Sequence, residues 1–94
     1  MEEIIVKMIV KEKRSVALNN DDIIGYCQYK EENNIWSITH TVVKQEFGGR
    51  GIAKRLVLAV IEEAGKQNKK INPICSYAKK MMESSDEYKD VLNQ

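Results

Sequence analysis

The chain is short of the residues that bind metals and form bridges. His40 is its one histidine, and Cys27 and Cys75 are its two cysteines. Zinc sites draw most of their ligands from these residue types, so no metal is expected. Two cysteines allow at most a single bridge, and in a reducing compartment both stay free thiols. Charge of one sign is also lacking: fifteen Lys and Arg against fourteen Asp and Glu leave a net +1. A nucleic-acid binder is usually far more basic, so neither nucleic acid nor an acidic membrane is an expected partner. No apolar run approaches the ~18 residues of a membrane span, and Met1-Glu2-Glu3 lacks the charged-then-apolar layout of a secretion signal. These absences together indicate a cytoplasmic location.

What the chain does have is a globular composition, 43% hydrophobic and 31% charged over 94 residues, read as a single domain over 1–94. Apolar, β-branched segments over 3–10, 15–18, 23–30 and 35–43 read as strands. Polar reversals separate them at Lys11-Glu12-Lys13-Arg14, Asn19-Asn20-Asp21-Asp22 and Glu31-Glu32-Asn33-Asn34. Strands joined so briefly form an antiparallel meander. Alternation in the fourth strand puts Trp36, Ile38, His40 and Val42 on one face, so His40 is expected on the bulky apolar side. That placement leaves open a histidine merely bonded in the core and one that does chemistry.

Ile52, Leu56, Val60 and Ala64, with Ala53, Val57 and Ile61, form one apolar stripe of a helix over 54–66 and its lead-in. Leu58 interrupts the polar side, and Gly65 is expected to end the helix. Residues 71–75 read as a fifth strand, joined to the fourth by a right-handed crossover. Pro73 lacks an N–H and makes that strand an edge or interrupts it. Ser76 is placed to cap a short helix through Met82, and Ser84 with Glu87 suggests a capping box before a last helix over 88–92.

Between the fourth strand and the long helix lies Gly48-Gly49-Arg50-Gly51-Ile52-Ala53. Glycine reaches positive φ without penalty and leaves its N–H uncovered. The first helical turn adds N–H groups without intrahelical partners and the positive end of the dipole. Such a corner suits a phosphate or pyrophosphate. Arg50, Lys54 and Arg55 crowd the same end, where a bound polyanion would offset their repulsion by the dipole. An ordinary glycine-rich turn with solvated cations is the other reading. Neither a Walker A loop nor a dinucleotide fingerprint matches the spacing.

In order, a meander, a glycine loop, a helix and one more strand resemble the cofactor-binding half of the GNAT acetyltransferase superfamily, whose loop reads Gln/Arg-x-x-Gly-x-Gly/Ala. Here Gly48 stands where that pattern has Arg or Gln, and Gly51-Ile52-Ala53 fits its end. More closely, the chain resembles a family of very small GNAT-like proteins that lack the N-terminal acceptor helices. The marks are His40-Thr41-Val42-Val43, Pro73-Ile74-Cys75-Ser76-Tyr77, and a closing Glu87-Tyr88 preceded by Ser85-Asp86 in place of His-Pro. The likeness runs from about Arg14 to Val91.

The resemblance implies a minimal GNAT-like α/β fold that binds acetyl-CoA or coenzyme A, without a metal. It implies the pyrophosphate on the amides of Gly49 to Lys54, the pantetheine arm beside Thr41, Val42 and Val43, and Arg50, Lys54 or Lys80 near the ADP phosphates. Its implied activity is transfer of an acetyl group to an amine acceptor. Transfer is either direct, with Tyr77 protonating the leaving thiolate, or covalent through Cys75 with His40 as base. A module that holds coenzyme A without turnover is the alternative function. The expected state is a monomer or weak homodimer, the exposed sheet edge being a possible contact.

Overall fold

The computed structural model describes residues 3–93. Strands β1 (Ile4–Ile9), β2 (Arg14–Asn19), β3 (Asp22–Glu32), β4 (Ile35–Val43) and β5 (Lys70–Pro73) form one sheet in the order β1-β2-β3-β4-β5. The first four pair antiparallel, and β5 lies parallel to β4. Helix α1 (Ile52–Lys66) makes the crossover, and α2 (Ser76–Glu83) follows β5. This is the α/β meander-and-crossover architecture expected from the sequence. No helix among the described residues is long and apolar enough to cross a membrane.

Asparagines make the reversals. Asn33 and Asn34, at φ 54° and 66°, form the two-residue turn between β3 and β4, and Asn20 at φ 57° helps turn β2 into β3. Successive positive φ values match the twist of a hairpin, and Asn tolerates them. The end of α1 follows the same rule. The helix runs through Gly65 to Lys66, and it is Asn68, at φ 59°, that takes the left-handed position. The amides of Asn68 and Lys69 then close on Gly65 and Ala64.

One face of the sheet carries the core. Leu56, Val57, Val60 and Ala64 of α1 and Ala78 and Met82 of α2 are all fully buried in one cluster with Trp36, Ile38 and Ile71. Each Leu, Val, Ile or Met side chain among them contributes roughly 1.5–3 kcal/mol. The Ser15 hydroxyl donates to the Leu56 carbonyl at 2.8 Å, tying β2 to the helix inside this layer. Both helices pack on this one face, so among the described residues no helix covers the other.

A β-bulge changes the reading of β4. Gln28 pairs with His40, and the next residue, Tyr29, pairs with Ile38, so Thr39 has no opposite number. The extra residue reverses the alternation. Trp36 and Ile38 stay in the core, whereas His40 and Val42 turn to the open face and Thr41 and Val43 turn inward. His40 is therefore exposed, contrary to the period-two expectation, and its Nδ1 lies 3.1 Å from the Thr39 hydroxyl.

The C-terminal segment also differs from expectation. Residues 88–92 form no α-helix: a single 3-10 turn covers Asp86–Tyr88, capped by the Ser85 hydroxyl, which accepts the Glu87 N–H. Ser84 instead donates to the Met81 carbonyl within α2. The chain beyond is committed to β5, where Ile71 donates to Val91 and Asn93 donates to Ile71. The Val91 and Leu92 amides still close on the Tyr88 carbonyl, but the bonds to Ile71 then carry the chain alongside β5 in place of a further helical turn.

Gly25 sits where β3 passes under α1. A Cβ there would lie 2.8 Å from the Val42 carbonyl oxygen and 3.3 Å from Leu56 Cδ1. Gly25→Ala should cost about 1–3 kcal/mol through overpacking, read as a lowered urea midpoint with an unchanged slope.

Candidate functional site

The site begins where β4 and β5 part. Their pairing stops at Ile38 and Pro73, because the Ile38 carbonyl accepts both the Ile74 and Cys75 amides, at 3.0 and 2.9 Å. This double bond turns the chain out of the strand. Cys75, expected as the last residue of the fifth strand, is instead the N-cap of α2, where its Sγ accepts the Ala78 N–H at 3.3 Å. Beyond Ile38, no strand among the described residues pairs with that side of β4. The backbone of Thr41, Val42 and Val43 therefore forms one wall of a wedge, with the start of α2 as the other.

Inside the wedge, Thr41 stands between two thiols. Its hydroxyl lies 3.4 Å from Cys75 Sγ and donates to Cys27 Sγ at 3.6 Å. Thr41 points inward only because of the bulge at Thr39. Burial pushes the Cys27 thiol up to about 11, the Thr41 hydroxyl partly offsetting this and the nearby Cys75 adding to it. Cys27 was not singled out in the sequence. Its approach to Thr41 depends on a cross-strand register, and no local motif signals it.

The wedge opens onto the glycine corner. A 3-10 turn, Gln45–Phe47, leaves β4 and drives Phe47 into the core. Gly49 and Gly51 follow at φ 78° and 75°, with open space where a Cβ would stand at either. Gly51 is the N-cap of α1 and provides no side-chain cap. Among the described residues, no hydrogen bond reaches the N–H groups of Gly49, Gly51, Ile52 or Ala53. The donors are left to an outside acceptor. Gly48 has an ordinary extended backbone, φ −66°.

Cations and an aromatic line the way out. Arg50 lies over the Phe47 ring, 5.2 Å from its centroid. A cavity of about 250 Å³ spans Val43, Gly49, Gly51, Ala53 and Tyr77. Another, of about 380 Å³, continues past Tyr77 between Lys54 and Lys80. The candidate residues thus fall into distinct positions. Gly48, Gly49, Gly51, Ala53, Tyr77, Lys54 and Lys80 line one groove, with the buried Ile52 at its base. Val42 offers backbone alone, its side chain lying on the open face. His40 is on that face too, so the structure does not join it to Cys75, whose polar neighbours are Thr41 and Ala78. Among the described residues, no three His, Cys, Asp or Glu cluster as metal ligands.

Residues 14–91 match the family described as GCN5-related N-acetyl-transferase. The chain belongs to the GCN5-related N-acetyltransferase (GNAT) family. Its fold is similar to the solution structure of a candidate GCN5-like N-acetyltransferase from Staphylococcus aureus, with 35% identity and a TM-score of 0.76 over 99% of this chain and 91% of that one. Two more distant GNAT-fold structures show the fold alone. One is N-acetylglutamate synthase from Neisseria gonorrhoeae, solved with coenzyme A and N-acetyl-glutamate, at 11% identity and a TM-score of 0.65 over 84% of this chain and 21% of that one. The other is a candidate streptothricin acetyltransferase from Bacillus anthracis, solved with acetyl coenzyme A, at 18% identity and a TM-score of 0.58 over 77% of this chain and 59% of that one. No curated protein matched the sequence.

Two measurements check the site's physics. Gly51→Ala should lose about 1–2 kcal/mol from left-handed strain alone, since nothing lies near the added methyl, and thermal unfolding would show it. The Cys27 thiol predicts alkaline lability. Its proton leaves near 9.0 when unfolded and near about 11 when folded, so the folded state holds more protons between these values. Stability is complete below the lower value and declines toward the upper one. Tyr29, pushed up to about 12 mainly by burial, extends the loss. Urea midpoints should fall between about pH 8 and about pH 10.5, and less steeply in Cys27→Ala.

Proposed function

We propose that this GNAT protein binds acetyl-CoA in the groove from the β4 wedge to Lys80 and transfers the acetyl group to an amine. The uncapped glycine corner carries this reading. Gly49 and Gly51 hold a positive-φ backbone whose amides and helix dipole suit a pyrophosphate, while Lys54 and Lys80 flank the space where further phosphate charge would lie. Arg50 adds a cation at the same corner. Gly48 gives no anchoring side chain, which leaves the grip to main-chain donors. The free edge of Thr41, Val42 and Val43 offers the pantetheine arm a strand-like partner. Bound coenzyme A and acetyl coenzyme A in the two distant GNAT-fold structures support the ligand class.

At the narrow end of the wedge, Cys75 is the nucleophile of a covalent route. Having given its proton to solvent, the Cys75 thiolate attacks the thioester carbonyl, the bond from carbonyl carbon to the coenzyme sulfur breaks, and the departing thiolate takes a proton from Tyr77. The acceptor amine then attacks the Cys75 thioester, releasing the Cys75 thiolate, and the surplus proton of the new amide passes to the Tyr77 phenolate. His40, exposed on the open face, is not the base for Cys75 in this route. Direct attack of the amine on acetyl-CoA uses the same groove without the Cys75 step. The unit acts as one domain over 1–94 in the cytoplasm.

A titration with acetyl-CoA followed by amide shifts should move resonances from Thr41 to Lys54, and turnover with amines should release free thiol. Intact mass should show one acetyl group on the wild type and none on Cys75→Ala. Amide shifts without thiol release from any amine would make this a coenzyme A-holding module. No shift at all would remove the ligand.

A further inference from the structure

We infer that the chain pairs with a second copy of itself along β1, about a two-fold axis that crosses Val6. The two sheet edges are unlike. Beyond β5, the C-terminal segment bonds to Ile71 and covers that side. β1 is the last strand at the other end and, among the described residues, pairs only with β2. Its sequence, Ile4-Ile5-Val6-Lys7-Met8-Ile9, has one charge, and Ile5 is 53% exposed. Long apolar edges with a single lysine are templates for another strand unless something covers them.

What covers this one is indicated by the adjoining helix. A groove of about 320 Å³ runs between β1 and α1, lined by Val6, Arg55, Leu58, Ala59 and Glu62. The four helical positions are spaced by three, four and seven, so they form one face of α1. Leu58, the residue that interrupts the helix's polar side, is at its centre with the small Ala59. A cation stands at one end and a carboxylate at the other, both exposed.

Such a stripe is complementary to itself when reversed. Antiparallel pairing about a two-fold axis must centre on a residue, because opposed residues share a sheet face. Centring on Lys7 would set two ammonium groups opposite each other, which is unfavourable. Centring on Val6 sets it against the partner's Val6, and Ile4 against the partner's Met8, on the helix-bearing face. Because Val6 lines the same groove as Leu58 and Ala59, the axis also passes the middle of the helical stripe. Arg55 then faces the partner's Glu62, and Glu62 faces the partner's Arg55. Arg55 already donates Nη2 to the Ile4 carbonyl at 3.0 Å, which holds its head at the strand edge. The other N–H groups of the guanidinium are the ones directed to the partner.

Sedimentation equilibrium from micromolar to millimolar protein tests this pairing without reference to the reaction. The wild type should show a monomer–dimer equilibrium. Arg55→Glu alone and Glu62→Arg alone each set like charges together twice across the axis and should raise the dissociation constant about tenfold or more. An equimolar mixture of these two variants sets an acidic stripe against a basic one and should restore association. Leu58→Glu should also dissociate the dimer, with circular dichroism reporting an intact fold in each case. A wild type that stays monomeric throughout overturns the inference. So does a dimer that neither reversal weakens, or a mixture that fails to associate.

Discussion

The Ile38 carbonyl, by accepting two successive amides from the far end of β5, prevents the parallel pairing from continuing. Backbone groups away from water need partners, and here one acceptor takes the Ile74 amide, as the ladder requires, and also the Cys75 amide, which in a continuing strand would point away from β4. The consequence reaches in both directions. Cys75 is swung into the cap of α2, and β4 is left with an unpaired side over its last residues. Neither wall of the wedge would exist if β5 ran on in register.

The bulge at Thr39 works with this parting. Without the extra residue, Thr41 would face the open side of the sheet and His40 would lie among the core side chains. With it, a hydroxyl is placed between the two thiols, while the imidazole is left accessible. The glycine corner completes the arrangement at the other end of the groove. There, two positive-φ glycines let the chain enter α1 without a capping side chain. Backbone irregularity thus falls at three points along one groove, with one further register shift between β2 and β3 at Ala17 and Leu18.

The element order and the helix stripe were legible in the sequence, because hydrophobic period and Asn-rich reversals are local signals. The glycine corner was legible for the same reason: three glycines in four positions, Gly48-Gly49-Arg50-Gly51, mark a turn that uses the positive φ glycine permits. His40 was misplaced because strict alternation cannot reveal a bulge, which is fixed by the partner strand's register rather than by residue type. The strand end was misread at Cys75 because Ile74 and Cys75 look as extended as Ile71. Only the tertiary bond to Ile38 shows the turn. The last helix was overread from Ser84 and Glu87, since the competing claim of β5 on Val91 and Asn93 is a long-range one. Cys27 gave no sign beyond its place in an apolar strand.

Trp36 is the chain's one tryptophan. It is stacked on Tyr29 with ring centroids 4.1 Å apart and planes 13° from parallel. It lies near the start of β4, about 20 Å along the strand from the end that borders the groove. Its fluorescence is therefore an optical gauge of whether the sheet is intact, and it is remote from whatever occupies the glycine corner. Emission that tracks denaturant but ignores added nucleotide ligands would separate cohesion of the fold from occupancy of the groove in a single cuvette.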